Sequence, residues 1–428
     1  MNLPPVRLQT RREFLLHAGL LTASLGIATP SWAKSKTTPA DAFDEAINHF
    51  MAERKIPGAA LAVVKDRRLV YAQGYGWADR DKKEPVKPDS LFRIASISKP
   101  ITAVAILKLA EAGKLDLDAP VTKWIGFVPV VKEGAKADPR ISQITIRHCL
   151  HHTGGWDRDK SGDPMFRSRE TARVVGTPEP ARQEAIIRYM LGQPLDFDPG
   201  QGYSYSNFGY CLLGRVIEKI TGLTYENFVK QQILAPMKIR RMRQGASLES
   251  ERADGEVKYY TPDNRKGTSV FPSHPGRVPA PYGTFCLEAM DSHGGWLASA
   301  VDLARFAAAL DSPANSWLNP KSNEILYEPP APPVARKPDG ALADRFYACG
   351  WDVRPVKNGK ANYWHNGSLP GTFTMLVRRW DGLSWAVLFN QRSEGLKVGD
   401  GPIDGAMHRA ADAVEQWPAE DLFERFAS

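Results

Sequence analysis

The chain has 428 residues, 43% of them apolar and 24% charged, which is the composition of an ordinary soluble globular protein. This length allows two domains, or one large domain that carries an insertion. The formal net charge is +8, but the basic residues are scattered along the chain, so the sequence does not indicate a nucleic-acid partner.

The first 33 residues are typical of an export signal. Arg11 and Arg12 lie in a segment that resembles the twin-arginine signal, and a mostly apolar stretch follows over residues 14–29. That stretch is short for a membrane span, and Ser31-Trp32-Ala33 supplies small residues at the two cleavage-site positions. We therefore predict a mature protein that begins near Lys34, is periplasmic or secreted, and has no stable membrane insertion. The alternative is a buried N-terminal helix.

The next part of the chain predicts a helix, two strands and a second helix. Apolar residues at helical spacing indicate a helix over residues 40–53, and residues 59–64 and 69–74 are typical of strands. Residues 101–112 predict a strongly amphipathic helix that stops at Gly113.

Residues 115–286 differ in character, because strand-like alternation is scarce and helices alternate with long polar loops. The predicted helices cover residues 144–150, 181–191, 208–221 and 225–234. The loops over residues 156–180 and 264–283 are rich in glycine, proline and charge, and loops of this length tend to be lids or rims of a site.

Strand character returns towards the end of the chain. Predicted strands cover residues 346–353, 373–380 and 383–390, with Asp381-Gly382 as a hairpin turn between the last two. They follow an extended, proline-rich loop over residues 329–340 and precede a helix over residues 403–417.

Together these elements predict an α/β (α+β) fold with an antiparallel sheet flanked by helices. Both chain ends form the sheet domain, over residues 34–114 and 287–428, and residues 115–286 form an inserted, mostly helical domain. The four cysteines are far apart and form no CxxC pair, so their disulfide state stays open. Cys149 and Cys211 lie in helix-like apolar stretches, where a buried free thiol is expected.

Ser96 and Lys99 form the strongest candidate for catalytic chemistry. A serine hydroxyl needs a nearby base, and a lysine can be that base if its pKa falls by about three units, or about 4 kcal/mol. A spacing of three residues places both side chains on one helix face. Pro100 is tolerated in the first helical turn, so the helix must begin near Ser96 or Ile97. The Ser96 hydroxyl then lies at the positive end of the helix dipole.

Three short motifs follow one another along the chain. The first is Ser96-Ile97-Ser98-Lys99, the second is Tyr205-Ser206-Asn207, and the third is His365-Asn366-Gly367. In this order and setting they resemble the motifs of the serine β-lactamase and penicillin-binding-protein superfamily, specifically its class C-like branch. The likeness runs from roughly residue 42 to residue 415 and implies a β-lactamase/transpeptidase-like fold.

The resemblance implies a role for each matching residue. Ser96 would be acylated, and Lys99 and Tyr205 would share the transfer of protons to and from it. Which of the two is the base stays open. Asn207 would orient the lysine and the substrate.

Further substrate-binding residues are expected on the third motif. They are His365, Gly367, Ser368 and Trp364, with the backbone amides of Ser96 and Ser368 as an oxyanion hole and Trp364 beside an acyl group. A packed strand tryptophan is the alternative for Trp364. Histidine is mostly neutral at pH 7, so His365 gives a substrate carboxylate a weaker partner than a lysine would, which argues against efficient β-lactam hydrolysis.

The function predicted from these residues is that of a serine hydrolase that forms an acyl-enzyme with a small ester or amide, including a D-amino-acid peptide. It would be an esterase, a D-amino-acid peptidase or a β-lactamase-like enzyme. No cofactor is expected, and the oligomeric state stays open. One alternative is a penicillin-binding or sensor-type protein of the same fold that acylates without turnover. Another is a metal-dependent hydrolase that uses the cluster His148, His151, His152, Asp157 and Asp159.

Overall fold

The computed structural model describes residues 36–311 and 317–426, so the predicted export signal lies outside the described residues. The described part contains thirteen strands. In chain order they are β1 (Gly58–Lys65), β2 (Arg68–Asp79), β3 (Glu84–Pro85), β4 (Phe92–Arg93), β5 (Arg243–Gln244), β6 (Lys266–Thr268), β7 (Arg277–Pro279), β8 (Trp296–Ala298), β9 (Phe346–Tyr347), β10 (Asp352–Pro355), β11 (Ala361–Leu369), β12 (Thr372–Arg378) and β13 (Leu383–Phe389).

Eight of these strands form one antiparallel sheet in the order β3-β2-β1-β13-β12-β11-β10-β9. Its centre is the pair β1 and β13, in register from Ala59 opposite Phe389 to Lys65 opposite Leu383. The two ends of the chain therefore meet in the middle of the sheet. The predicted antiparallel sheet is confirmed, and so is its construction from both chain ends.

The described residues also contain eleven α-helices. In chain order they are α1 (Pro39–Arg54), α2 (Ser98–Glu111), α3 (Ile146–Leu150), α4 (Arg158–Ser161), α5 (Ser168–Val175), α6 (Gln183–Met190), α7 (Asn207–Thr221), α8 (Tyr225–Val229), α9 (Ala300–Leu310), α10 (Pro320–Tyr327) and α11 (Pro402–Ala413). A π-helical turn, Lys230–Leu234, continues α8.

Helices cover both faces of the sheet, so the central strands are buried on each side. In β1, Leu61 and Val63 pack in one hydrophobic cluster with Phe43 of α1 and residues of α11. Their neighbours Ala60 and Ala62 pack in a second cluster on the other face, where α9 contacts the strands. This alternation explains why β1 and β13 are nearly continuous apolar runs.

Helix α2 is buried around almost its whole circumference, so the prediction of a strongly amphipathic helix over residues 101–112 is wrong. It contacts α7, α8 and α10 as well as the turn that precedes it. Packing from several sides leaves no solvent face along most of its length, and the charged residues Lys108 and Glu111 lie at its C-terminal end.

Residues 115–286, predicted as an inserted, mostly helical domain, contain α3 to α8, and their loops are more ordered than predicted. The loop over residues 156–180 holds α4 and α5, and the loop over residues 264–283 holds the hairpin β6–β7. From Thr37 onward the chain forms one compact unit. One hydrophobic cluster joins β1 to α6 and α7. The boundaries near residues 114 and 286 stay predictions.

Two differences from the predicted strands bear on the site. Residues 346–353 form two short strands, β9 and β10, that turn back on each other rather than one strand. Strand β11 was not predicted, and it contains the third motif, which was expected before a strand. Its polar residues hide the strand pattern, because two of them, Asn362 and His365, are buried against protein rather than facing solvent.

The four cysteines are free thiols, and all of them are buried. Cys149 lies in α3 and Cys211 in α7, as expected from the sequence. Across residues 36–311 and 317–426, no helix has the length and hydropathy needed to cross a bilayer.

Candidate active site

Ser96 lies in a tight helical turn, Ala95–Ile97, that leads directly into α2. The preceding residue, Ala95, adopts a φ of 47°, which is uncommon for a residue with a Cβ and marks a sharp change of chain direction. The Ser98 hydroxyl donates to the Ala95 carbonyl at 2.7 Å and fixes the turn. Ser96 is half-buried at the start of the helix.

Lys99 has no exposed surface, and its amine has three polar partners. The Nζ atom lies 3.1 Å from Ser96 Oγ, 2.8 Å from Asn207 Oδ1 and 3.0 Å from the carbonyl oxygen of His293. Burial holds the pKa of Lys99 well below its usual value, since the charged form loses its hydration. The amine can therefore be neutral near pH 7, which a general base requires.

Tyr205 lies beside this pair, with Lys99 Nζ 4.7 Å from the centre of its ring. Its hydroxyl is buried and has no hydrogen-bond partner among the described residues. Burial raises the pKa of Tyr205, with the nearby Ser96 hydroxyl acting in the opposite direction. A phenol in this state keeps its proton at neutral pH and can donate it.

Asn207 is the first residue of α7, and Ser206 caps that helix by accepting from the Gly209 amide. The side chain of Asn207 bridges two charged residues. Its Oδ1 accepts from Lys99, and its Nδ2 donates to Asp163 Oδ2 at 2.6 Å. These contacts fix which end of the amide faces Lys99, because a carboxylate can only accept.

Strand β11 packs against the turn that carries Ser96, and Gly367 makes this close approach possible. A Cβ atom at Gly367 would lie 2.0 Å from the Ile94 carbonyl oxygen and 2.2 Å from Thr374 Oγ1. Ser368, the next residue, is exposed, and its hydroxyl accepts from Arg392 at 3.2 Å. Gly367 therefore lies against the turn that carries Ser96, and the substrate-binding roles of Gly367 and Ser368 stay predictions.

His365 lies in the same strand, but it does not face a substrate. It is 3% exposed, its Nδ1 lies 2.7 Å from the Asn366 carbonyl oxygen, and its Nε2 lies 2.9 Å from the Tyr347 hydroxyl. The carbonyl can only accept, so Nδ1 carries the proton and Nε2 accepts from Tyr347. Burial, with a further contribution from Lys99, lowers the pKa of His365 to about 3. The structure therefore makes His365 a neutral, internal support and not a substrate contact.

Trp364 points to the other face of the sheet, since successive side chains of a strand alternate. It packs in the cluster that contains Phe373 and Met375, and the guanidinium groups of Arg345 and Arg354 lie 4.9 and 4.6 Å from its ring. The structure does not bring Trp364 to an acyl pocket. The packed strand tryptophan, which was the alternative, is what it shows.

The residues of the predicted metal cluster are engaged elsewhere. His148 Nδ1 accepts from the Thr145 amide, His151 Nε2 lies 3.3 Å from Cys349 Sγ, and Asp157 caps α4. Within the part of the chain that the structure describes, no three His, Cys, Asp or Glu side chains are grouped as a metal site requires. The geometry does not support the metal-hydrolase alternative.

A family comparison decides the class of this protein. The model of the Beta-lactamase family matches residues 43–403, which is most of the chain. The chain belongs to this family. The predicted superfamily and the predicted enzyme class, a serine hydrolase of β-lactamase fold, are confirmed.

Three similar proteins illustrate the breadth of the β-lactamase family. Penicillin-binding protein 4* of Bacillus subtilis is 28% identical over 343 residues, which cover 79% of this chain and 69% of that protein. Esterase EstB of Burkholderia gladioli is 33% identical over 202 residues, 46% of this chain and 48% of the esterase. The chain thus spans about half of the esterase. The octameric penicillin-binding protein homologue from Pyrococcus abyssi is 26% identical with a TM-score of 0.65, covering 88% of this chain and 78% of that one.

Four further residues surround this β-lactamase-family site. Three of them, Asp163, Tyr347 and Arg158, were not among the predicted site residues, and His152 was predicted only as a ligand in the metal-hydrolase alternative. Asp163 holds Asn207, Tyr347 holds His365, the His152 ring lies 4.4 Å from the Tyr205 ring, and the Arg158 guanidinium lies 4.9 Å from the same ring. Arg158 and Asp163 come from the segment over residues 156–180, which was predicted as a lid or rim of a site. That prediction was the one indication in the sequence that they lie near the site. The pairing of Tyr347 with His365 depends on β9 and β10, which had been predicted as one strand.

A cavity of about 310 Å³ lies next to this group of rings. It is lined by Tyr203, Val334, Phe346 and Tyr347, with Arg345 and Asp352 at its side. The ring of Tyr347 lies 6.0 Å from that of Tyr205, so the cavity is separated from the candidate proton donor by one aromatic residue. Its walls are mainly apolar and aromatic.

Proposed function

We propose that this protein hydrolyses short-chain carboxylic esters through an acyl-enzyme on Ser96. The observation that carries the proposal is the 3.1 Å contact between Lys99 Nζ and Ser96 Oγ, with a lysine whose pKa is lowered by burial. The relative Esterase EstB supports an ester as substrate.

In the proposed acylation step, the Ser96 hydroxyl proton passes to neutral Lys99 while Oγ attacks the ester carbonyl. The carbon–oxygen bond to the alcohol then breaks, and Tyr205, which is protonated at neutral pH, supplies the proton to the departing alkoxide. In the second step, water attacks the acyl carbonyl and gives a proton to the Tyr205 phenolate. The bond from the acyl carbon to Ser96 Oγ then breaks, and Lys99 returns its proton to Oγ, so the carboxylic acid leaves and Ser96, Lys99 and Tyr205 are all restored. The backbone amides of Ser96 and Ser368 are the proposed oxyanion donors, each worth roughly 3–4 kcal/mol in comparable sites.

The surroundings of His365 favour a neutral ester over a β-lactam. A pKa of about 3 leaves His365 uncharged near pH 7, so it gives a substrate carboxylate no cationic partner. Arg392 contacts Ser368, but its guanidinium is paired with Glu394 at 2.8 Å. The apolar walls of the cavity beside Tyr347 also suit an uncharged acyl or alcohol group.

The test is a substrate panel of p-nitrophenyl esters, a chromogenic cephalosporin and a D-amino-acid amide, applied to the wild type and to Ser96→Ala. We expect turnover of the short esters, weak or no hydrolysis of the cephalosporin, and loss of turnover in Ser96→Ala with an unchanged circular dichroism spectrum. Turnover by Ser96→Ala would contradict the mechanism. A single burst without steady turnover would instead favour the sensor-type alternative.

We also propose that the protein is exported by the twin-arginine route and acts in the periplasm or outside the cell. The paired Arg11 and Arg12 before an apolar stretch support this proposal. In a bacterial host, replacing both arginines by lysine should leave an unprocessed precursor in the cytoplasmic fraction, while the wild type appears in the periplasm without about 33 residues. Equal processing of the two forms would contradict the proposal.

A further inference from the structure

Asp163 is held in place through both oxygens of its carboxylate. Its Oδ1 accepts from the Met165 amide at 3.0 Å, as the cap of the short helical turn Pro164–Phe166. Its Oδ2 accepts from Asn207 Nδ2 at 2.6 Å. The carboxylate is therefore fixed by the backbone on one side and can fix the Asn207 amide on the other.

The orientation of the Asn207 amide decides how a neutral Lys99 can act. A neutral amine has two N–H bonds and one lone pair, and Lys99 has three partners. Asn207 Oδ1 and the His293 carbonyl can only accept, so they use both N–H bonds and leave the lone pair for the Ser96 hydroxyl. If the amide of Asn207 turned over, its NH₂ group would compete for that lone pair. Asp163 opposes this reversal, since its carboxylate requires the NH₂ group.

Arg158 brings a positive charge to the Tyr205 ring, which Lys99 also contacts. Its guanidinium lies 4.9 Å from the centre of the Tyr205 ring, and Lys99 Nζ lies 4.7 Å from that centre. Two cations near one ring repel each other, so Arg158 disfavours the protonated form of Lys99. Arg158 is exposed, and solvent weakens this effect.

The directions of the pKa shifts agree with this geometry. Burial is the main cause of the low pKa of Lys99, Asp163 raises that pKa, and Arg158 lowers it. The other titratable groups that face Lys99 are uncharged at neutral pH. They are Tyr205 and Tyr210, whose pKa values burial raises, and His152, His293 and His365, whose pKa values burial lowers.

We propose that Asp163 and Arg158 are positioning residues for Lys99. Asp163 directs the lysine lone pair to Ser96 through Asn207. The negative charge of Asp163 and the positive charge of Arg158 change the basicity of Lys99 in opposite directions. This inference rests on the proposed function of Ser96 and Lys99.

The test compares Asp163→Asn with Arg158→Gln in kcat/KM for a p-nitrophenyl ester as a function of pH. Asp163→Asn loses the charge and keeps one acceptor oxygen, which can serve Asn207 only if the contact with the Met165 amide is given up. Because the negative charge is lost, the acidic limb of the pH profile should move to lower pH by about half a unit to one unit. Arg158→Gln should move it to higher pH by about half a unit or less. Asp163→Ala also frees the amide, so its kcat should fall roughly tenfold below that of Asp163→Asn.

Exposed neighbours in α4 give matched controls. Asp159→Asn and Lys160→Gln make the same changes of charge nearby, and both should leave the acidic limb in place. A second readout needs no substrate, namely the titration of the ¹³Cε resonance of Lys99, assigned by its loss in Lys99→Arg. Its pKa should fall in Asp163→Asn and rise in Arg158→Gln.

The outcomes separate the two proposals. If the wild type hydrolyses no ester, or if Ser96→Ala retains turnover, the proposed function fails, and the Lys99 titration still decides whether Asp163 and Arg158 tune the lysine. If the wild type is active but neither variant moves the acidic limb or the Lys99 resonance, the positioning role is overturned.

Discussion

The ammonium form of Lys99 is costly in this environment. The side chain has no exposed surface, and the histidines at positions 152, 293 and 365 around it are themselves held neutral by burial. A charge can appear there during a reaction step, stabilised by Asn207 and the His293 carbonyl, without being the resting state. A lysine that is neutral at rest and a tyrosine that keeps its proton favour Lys99 as the base and Tyr205 as the acid. The sequence alone leaves this choice open.

Gly367 is the residue whose replacement tests the contact between β11 and the serine turn. In Gly367→Ala the new methyl group would meet the Ile94 carbonyl at 2.0 Å, so strand or turn must move. We expect a loss of about 1–3 kcal/mol in the free energy of unfolding, with a marked fall in ester turnover. Urea denaturation and the ester assay measure the two effects.

Gly126→Ala is the matched control, because a Cβ at Gly126 would have no atom within 4 Å. It should change neither stability nor turnover appreciably. If Gly367→Ala behaves like Gly126→Ala in both assays, the close packing of β11 on the Ser96 turn is not needed for the site.

At the scale of elements, prediction from the sequence succeeds where one pattern dominates. Strand β1 follows from a nearly continuous apolar run, and helix α1 follows from apolar residues at helical spacing. The start of α2 follows from Pro100, which requires a first-turn position. Strand β11 could not be predicted from such a pattern. His365 and Asn362 are buried in it by tertiary contacts, which no local pattern of apolar residues reports.

Some residues of the site could likewise be predicted from the sequence, and others could not. Ser96, Lys99, Tyr205 and Asn207 come from motifs with fixed spacing, and the structure brings all four together. Asp163 and Arg158 lie about forty residues before the second motif, in a segment of mixed charge. Their contact with the site depends on how α4 and the following turn fold back, so the sequence predicts only that this segment lies at a rim.

At the scale of the whole molecule, the sheet from both chain ends and the helical middle share one core. The fold class could be predicted because strands cluster at the ends and helices lie between them. The extent of the shared core could not be predicted, because it depends on how helices α2, α6 and α7 pack together against the sheet.

The buried histidines make the stability of the whole molecule depend on pH. Burial lowers the pKa values of His151 and His365 to about 3, and those of His152 and His293 well below 6.5. Below pH 6.5 the unfolded chain binds protons at these positions and the native chain does not. The free energy of unfolding therefore falls as the pH drops from 6.5 towards 3.

Between pH 7 and pH 5.5 we expect the free energy of unfolding to fall by about 1 kcal/mol for each of these four histidines. Urea denaturation at the two pH values measures the change. A variant of the exposed His274, His274→Gln, should show the same fall. An equal free energy of unfolding at both pH values would contradict the assignment of neutral, buried histidines.

The central claim is that Ser96 forms the acyl-enzyme, and intact-protein mass spectrometry during ester turnover tests it most directly. With rapid acid quenching, the wild type should gain the mass of one acyl group, and peptide mapping should locate that group on Ser96. The Ser96→Ala protein should gain none. Acylation at another residue, or an equal adduct in Ser96→Ala, would contradict the account.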